Sequence, residues 1–254
     1  MTGFPGIQGT TAVVTGATTG IGRAIARGFA ESGASRIVAI SRSVTDDGEV
    51  AEDVRALGCD FIAIQCDFAD RASNLGLSDR ITAAVGTVDI LVNNAGTAAY
   101  CPAEDYPIEM WDEVMEVNLH SQFILTRDIG RAMIARGSGK IVFNCSLAAF
   151  QGNVGVPSYT ASKSAIAGVI RALGCEWGGR GVNVNGIAPG YTITDLTAPV
   201  HQDPAEYARV LERTPAGRWM NPADLVGSIL FLASSAASSI HGQVIIVDGG
   251  WMVR

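Results

Sequence analysis

Tyr159 and Lys163, within Pro157-Ser158-Tyr159-Thr160-Ala161-Ser162-Lys163, stand four residues apart where a Gly-rich stretch gives way to an Ala-rich one. On a helix, residues at i and i+4 share one face. An ammonium held beside a phenol favours the phenolate, so it draws the phenol's pKa down from about 10 towards the range of a working acid or base. The spacing therefore marks Tyr159 as a candidate proton donor and Lys163 as the group that tunes it. A surface helix carrying an ordinary Tyr and Lys would show the same four-residue spacing, so the rest of the chain has to decide.

A second chemistry-bearing stretch lies near the N-terminus. Thr11-Ala12-Val13-Val14-Thr15 is β-prone, Gly16-Ala17-Thr18-Thr19-Gly20-Ile21-Gly22 is Gly-rich, and Ile21 to Glu31 has helical spacing. A strand, a glycine turn and a helix bring backbone N–H groups and the positive helix end up to a pyrophosphate, which is a dinucleotide-binding arrangement. The spacing Gly16, Gly20, Gly22 differs from GxGxxG. Arg36 to Ile40 reads as the next strand, ending at Ser41-Arg42. An acid at this point would accept from an adenosine 2′-hydroxyl, whereas an Arg suits a 2′-phosphate. With no acid here, Ser41 and Arg42 favour NADP over NAD.

The elements that must position these residues follow in order. Asp46 to Leu57 is read as helical, Asp60 to Gln65 as a strand, Asn74 to Val85 as an amphipathic helix, and Val88 to Val92 as a strand running into Asn93-Asn94-Ala95-Gly96. Glu104 to Asn118 and on through Arg136 has long helical patterning. Lys140 to Asn144 is a strand that delivers Ser146, and Val182 to Ile187 is another, leading into Ala188-Pro189-Gly190-Tyr191-Thr192-Ile193-Thr194. Asp195 to Trp219, with Pro199, Pro204 and Pro215, is read as irregular. Pro222 to Ser234 is a last helix and Gly242 to Val247 a last strand. Alternating strands and helices predict an α/β Rossmann fold, a doubly wound parallel sheet with helices on both faces, in one domain over residues 1–254.

Taken together, Thr15-Gly16-Ala17-Thr18-Thr19-Gly20-Ile21-Gly22, Asn93-Asn94-Ala95-Gly96, Asn118, Ser146, Tyr159, Lys163 and Pro189-Gly190 resemble, in order and spacing, the motif set of the short-chain dehydrogenase/reductase family. The resemblance covers nearly the whole chain, from Gly9 to the C-terminus. It implies a nicotinamide cofactor, with Tyr159 as acid or base, Ser146 orienting the reacting oxygen, Lys163 on the nicotinamide ribose, and Asn118 holding a water for a proton relay. For cofactor contacts it implies Gly16, Thr19, Gly20, Ile21, Gly22, Ser41, Arg42, Asp67 facing the adenine amino group, Phe68, Asn94, Ala95, Gly96, Tyr159, Lys163, Pro189 and Gly190. The backbone near Thr192 and the hydroxyl of Thr194 would meet the carboxamide. A homotetramer is also implied.

Val156 to Ser164, Ile187 to Tyr191, Thr214-Pro215-Ala216-Gly217-Arg218-Trp219 and Val247-Asp248-Gly249-Gly250-Trp251 look like the sugar-acid branch of that family, the 2-deoxy-D-gluconate 3-dehydrogenases and related keto-deoxygluconate 5-dehydrogenases. A sugar-acid carboxylate calls for a cation, which Arg209 or Arg218 could supply, although Arg218 suits a lid-anchoring ion pair equally well. Residues 191–220 would be a substrate lid, and Trp219 is a packing group or a cap on the pocket. A 3-oxoacyl carrier-protein reductase or general carbonyl reductase shares these motifs; Arg131 fits the former, but Cys175 stands where a second Arg is expected. A non-catalytic NAD(P)-sensing protein is a third reading, opposed by the intact Ser146, Tyr159 and Lys163.

Composition excludes other classes. With 18 Lys+Arg against 25 Asp+Glu, a net charge of -7 and no basic run, the chain has no footprint for nucleic acid or an anionic membrane surface. Its apolar fraction of 48% suits a sheet buried on both faces, and the charge-free window Ile141 to Ser162 is too polar for a span. Met1 to Gly9 carries no secretory pattern. Five scattered cysteines without CxxC spacing point to reduced thiols in a cytoplasmic protein, and His120, His201 and His241 have no metal-ligand spacing.

Overall fold

Strands too apolar to face water on either side build a sheet covered on both. The computed structural model describes residues 4–254; Met1 to Gly3, part of the N-terminal stretch discussed above, lie outside them. In chain order the elements are β1 (Thr11–Thr15), α1 (Gly20–Glu31), β2 (Arg36–Ser41), α2 (Glu49–Arg55), β3 (Asp60–Gln65), α3 (Arg71–Leu75), α4 (Leu77–Val85), β4 (Ile90–Asn93), α5 (Ile108–Met115), α6 (Ser121–Arg136), β5 (Gly139–Asn144), α7 (Pro157–Trp177), β6 (Val182–Pro189), α8 (Ala198–His201), α9 (Pro204–Arg213), α10 (Pro222–Ala233) and β7 (Val244–Val247). The sheet order is β3-β2-β1-β4-β5-β6-β7, all parallel, so the chain reverses direction across the sheet between β1 and β4. Ligands of open α/β sheets bind outside the carboxyl ends of the strands at such a switch point.

Alternation along the strands sorts the core into two layers. Ala12 and Val14 face α1, α2 and α10, whereas Val13 faces the layer that holds residues of α4, α6 and α7. Thr11 to Thr15 are buried throughout. This is the expected doubly wound α/β architecture. None of the helices over the described residues is long and apolar enough to cross a membrane.

Several boundaries differ from the sequence reading, each for a local reason. The helix expected over Asn74 to Val85 is two helices: the Asp70 carboxylate caps α3 by accepting from the Ala72 N–H, and Gly76 separates it from α4. The helix expected from Asp46 begins only at Glu49, because the Asp46 carboxylate accepts from the Ala63 N–H instead. Strand β4 starts at Ile90, two residues late, since the Asp89 carboxylate takes the Thr11 N–H. The segment read as irregular, Asp195 to Trp219, contains α8 and α9. Its prolines do not break these helices: Pro199 and Pro204 sit in the first turns, where a missing N–H costs nothing.

The long helical pattern through Arg136 is continuous from α5 to α6 but passes through a π-helical turn at Glu116–His120. Such a widened turn is frequent at functional sites, and it carries Asn118.

Helix α7, which bears Tyr159 and Lys163, is seated by close backbone approach. A Cβ on Gly174 would lie 2.4 Å from the Gly242 nitrogen and 2.6 Å from its Cα. Backbone cannot yield as a side chain can. Gly174→Ala is therefore expected to destabilise the protein by roughly 1–3 kcal/mol by overpacking, despite the better helix propensity of Ala. Urea unfolding measures it; unchanged or raised stability would contradict this seat.

Candidate active site

Every strand end from β1 to β6 opens onto one cleft of about 980 Å³. Of the residues singled out above, Gly16, Thr19, Gly20, Ile21, Gly22, Ser41, Arg42, Asp67, Phe68, Asn94, Ala95, Gly96, Ser146, Tyr159, Lys163, Pro189, Gly190, Thr192 and Thr194 all line it. Asn118 does not: it is fully buried behind the wall.

At the β1 end the chain comes as close to itself as backbone allows. Gly16 has φ +64°, and a Cβ on Gly22 would stand 1.9 Å from the Gly16 carbonyl oxygen and 2.7 Å from Asn94 Nδ2. No other residue fits at position 22. Asn94 welds three strand ends: its amide donates to the Thr15 carbonyl at 2.9 Å and accepts from Asn144 Nδ2 at 2.9 Å. The Thr15 hydroxyl accepts from the Asn94 and Ala95 N–H groups, each at 2.9 Å. The first N–H groups of α1, with no intrahelical partners, face this turn.

Beside it, the Ser41 hydroxyl bonds the Thr18 hydroxyl, and Arg42 is exposed with no acidic partner among the described residues. A free guanidinium next to a glycine cradle and a helix N-terminus is a donor set for phosphate, so these residues fit a phosphorylated dinucleotide. Asp67 reaches the cleft too, although its carboxylate accepts from the Ala69 N–H at 3.0 Å. At the far side, the Thr194 methyl packs 3.5 Å from the Cβ position of Gly20, bringing the loop after β6 against the turn after β1.

Ser158 and Ser162 on α7 anchor the Tyr159 segment. Tyr106 and Ser158 hydroxyls meet at 2.6 Å, and Ser162 Oγ donates to the Tyr159 carbonyl at 2.8 Å. Lys163 is 4% exposed, and its ammonium donates to the Asn144 carbonyl at 2.8 Å. Burial holds this ammonium below the usual lysine range. The same cause corrects the sequence expectation for Tyr159. Burial pushes its phenol up to about 12, against the Ser146 hydroxyl, which pulls down as a hydrogen-bonding partner. Lys163 Nζ lies 5.7 Å from the Tyr159 ring centroid.

The Asn118 side chain is tied to two neighbouring segments. Its Oδ1 accepts from the Thr97 N–H at 2.8 Å, while Nδ2 donates to the Thr97 carbonyl at 2.8 Å and to Ser162 Oγ at 3.1 Å. The side chain thus staples the π turn to α7 and to the loop after β4.

Sequence reasoning was least complete at the substrate rim. Arg218 is bound to Asp224 through both nitrogens, at 2.6 and 2.9 Å, and lies outside the cleft lining. Trp219 is 3% exposed, stacked on Tyr207 at 5.5 Å and outside the cleft lining, so it is a packing group and does not cap the pocket. Arg209 does line the cleft, paired with Glu206 at 2.8 Å. Arg213, Gln151 and Trp251 line it as well. The only signal for Arg213 was its spacing from Glu206 and Arg209 along one helical face.

The segment from Tyr191 to Met220 is pinned at its ends. Ile193 N–H donates to the Met220 carbonyl and Met220 N–H to the Tyr191 carbonyl, at 2.9 and 3.0 Å.

Comparison with known proteins agrees with this geometry. Residues 10–205 match the model of the short chain dehydrogenase family. The chain is 49% identical to a 2-dehydro-3-deoxy-D-gluconate 5-dehydrogenase of Pseudoalteromonas atlantica over 98% of both chains, and 43% identical to the enzyme of that name from Escherichia coli, over 98% of this chain and 97% of that one. Among solved structures, a gluconate 5-dehydrogenase from Burkholderia cenocepacia in complex with NADP and tartrate superposes with a TM-score of 0.92 at 36% identity, covering 97% of this chain and 96% of that one.

A raised pKa means a proton held more tightly, so Tyr159 stays a neutral phenol through neutral pH in the protein without cofactor. Its ionisation, read as phenolate absorbance by difference from Tyr159→Phe, is expected near 12, above the roughly 10 of ordinary tyrosines. A Tyr159 phenolate forming below pH 9 would contradict the dominance of burial.

Proposed function

The chain belongs to the short-chain dehydrogenase family, and on that premise we propose that it is an NAD(P)-dependent oxidoreductase interconverting a secondary hydroxyl and a ketone on a sugar acid. The observation that carries this is the convergence of Tyr159, Ser146 and Lys163 with the glycine cradle on one cleft. It is supported by full-length relatives named for oxidising a deoxygluconate.

When bound, the nicotinamide cofactor supplies or accepts the hydride. Gly16, Thr19, Gly20, Ile21 and Gly22 hold its pyrophosphate, Ser41 and Arg42 its adenosine ribose or 2′-phosphate, and Asp67 and Phe68 its adenine. Asn94, Ala95, Gly96, Pro189, Gly190, Thr192 and Thr194 line the remainder. Ser146 donates to the substrate oxygen and orients it. Tyr159 delivers its proton to that oxygen in reduction and removes one in oxidation. In the reducing direction a neutral phenol is the form required, which the half-buried Tyr159 already provides. Oxidation requires the phenolate, which the Lys163 ammonium would favour; Lys163 would also hold the nicotinamide ribose hydroxyls. Asn118, on the π turn, would hold a water next to Lys163 for a proton relay to solvent. Residues 191–220 act as the lid of a single cofactor-binding unit spanning 1–254.

A homotetramer in the cytoplasm belongs to the same reading. Phe123 on α6 and Ile246 on β7 expose apolar surface, at 41% and 40%, that a second copy would cover. Five cysteines, an odd number with three of them buried, suit a reducing compartment. The carrier-protein reductase reading gains nothing: Arg131 sits on α6 near Asp128, outside the cleft lining, and Cys175 is exposed.

Purified protein with NAD⁺ and NADP⁺ in parallel, assayed on sugar acids, polyols and simple alcohols, tests the reaction; absence of nicotinamide turnover on every substrate would sink it. Tyr159→Phe is expected to lower kcat by about 10²–10⁴-fold, the usual contribution of a proton-transferring group, with cofactor affinity nearly intact. Arg42→Ala is expected to weaken NADP binding by about 10-fold or more, consistent with losing a charged hydrogen bond, and NAD binding little. Equal losses for both cofactors would remove the argument for NADP.

A further inference from the structure

Trp251, near the C-terminus, is a 2% exposed indole that organises the substrate side of the cleft. The Arg213 guanidinium lies 4.0 Å from a ring centroid of Trp251, and Arg209 lies 6.0 Å from one on the opposite flank of the same helical face. Tyr191 leans on the indole at 4.7 Å, and Trp251 Nε1 donates to Gln151 Oε1 at 3.3 Å. Two guanidinium groups therefore gather at one buried aromatic. Only one of them is ion-paired among the described residues: Glu206 takes Arg209 in a contact of 2.8 Å. No acid pairs with Arg213 among the described residues, although Asp67, Glu113 and Asp195 also line the cleft. Of the two guanidinium groups at Trp251, one is ion-paired and the other is not.

Position separates this charge from the cleft's other cations. Arg42 stands at the end of β2 beside the glycine cradle, and Lys163 is committed to the catalytic group. Arg213 belongs to the lid helix α9, whose buried Val210 and partly buried Tyr207 and Leu211 fix it to the aromatic cluster. Stacking on an indole orients the planar fork of an Arg without using its donors, and a preorganised fork loses less entropy when it grips a carboxylate.

We propose that Arg213, held on Trp251, is the specificity-determining residue that binds the substrate's carboxylate, with Arg209 flanking it, so that this cleft selects sugar acids over neutral polyols. The proposal rests on the sugar-acid reading above and assigns the part of the site that imposes it.

Steady-state kinetics with D-gluconate and its neutral analogue D-gluconamide test it, each taken as substrate or as competitive inhibitor of whichever alcohol is turned over. Arg213→Gln is expected to weaken gluconate by roughly 10–100-fold in KM or Ki, the loss of a charge-assisted hydrogen bond. Its kcat, its cofactor KM and its response to gluconamide should stay within about threefold, a generic allowance for an exposed substitution. Arg213→Lys, which keeps the charge without the fork, is expected to fall between. Unchanged gluconate affinity in Arg213→Gln, or equal losses for gluconate and gluconamide, would overturn the assignment while leaving sugar-acid turnover by the wild type standing. A wild type that neither oxidises nor is inhibited by any sugar acid would overturn the sugar-acid reading and this proposal with it.

Discussion

The site depends on keeping an ammonium out of water. Lys163 is buried on α7, and desolvating a charge costs several kcal/mol unless hydrogen-bonding partners replace the lost hydration. Within the described residues its hydrogen-bonding partner is the Asn144 carbonyl at the end of β5. That single bond spans helix and sheet, so the register of α7 against the strand ends is tied to it. It also leaves donors free on the ammonium, which is what a group meant to grip hydroxyls needs. Burial that is costly for Lys163 keeps Tyr159 protonated as well, so one desolvated corner sets both pKa values in opposite directions.

Rigidity around this corner comes from close backbone approach and from side-chain amides. Gly22 against Gly16, and Gly174 against Gly242, remove the space in which the strands and helices could slide. Asn94 and Asn118 then fill their hydrogen-bonding capacity with main-chain groups of neighbouring segments. A buried amide that is so nearly satisfied specifies one arrangement, because every alternative leaves a donor or acceptor orphaned. The cofactor end of the cleft is thus built on elements that cannot move without breaking several bonds.

The substrate end follows another logic. Residues between Tyr191 and Met220 leave the sheet as an excursion pinned at its base by two backbone hydrogen bonds. What holds it down is an aromatic cluster of Tyr191, Tyr207, Trp219 and Trp251, together with the Arg218–Asp224 pair at its exit. Arginines carried by such a segment can be exchanged without disturbing the sheet, so substrate preference can vary on an unchanged catalytic frame.

Local motifs were legible in the sequence because each is completed within a few residues. The glycine turn after β1, the Tyr159/Lys163 spacing on α7, the serine after β5 and the Pro-Gly after β6 lie at strand ends, and a parallel α/β order brings all strand ends to one side. The alternation of strand and helix segments and the high apolar fraction were sufficient for the doubly wound sheet. Tertiary structure decided what depends on distant neighbours. The Tyr159 phenol is raised rather than lowered because desolvation outweighs its hydrogen bond with Ser146, and enclosure has no sequence signature. Asn118 spends its amide on Thr97, Arg218 goes to Asp224, and Arg213 finds Trp251, each a pairing set by how separate segments pack. Periodicity reports which face of an element is buried; it does not report which side chain of another element will be waiting there.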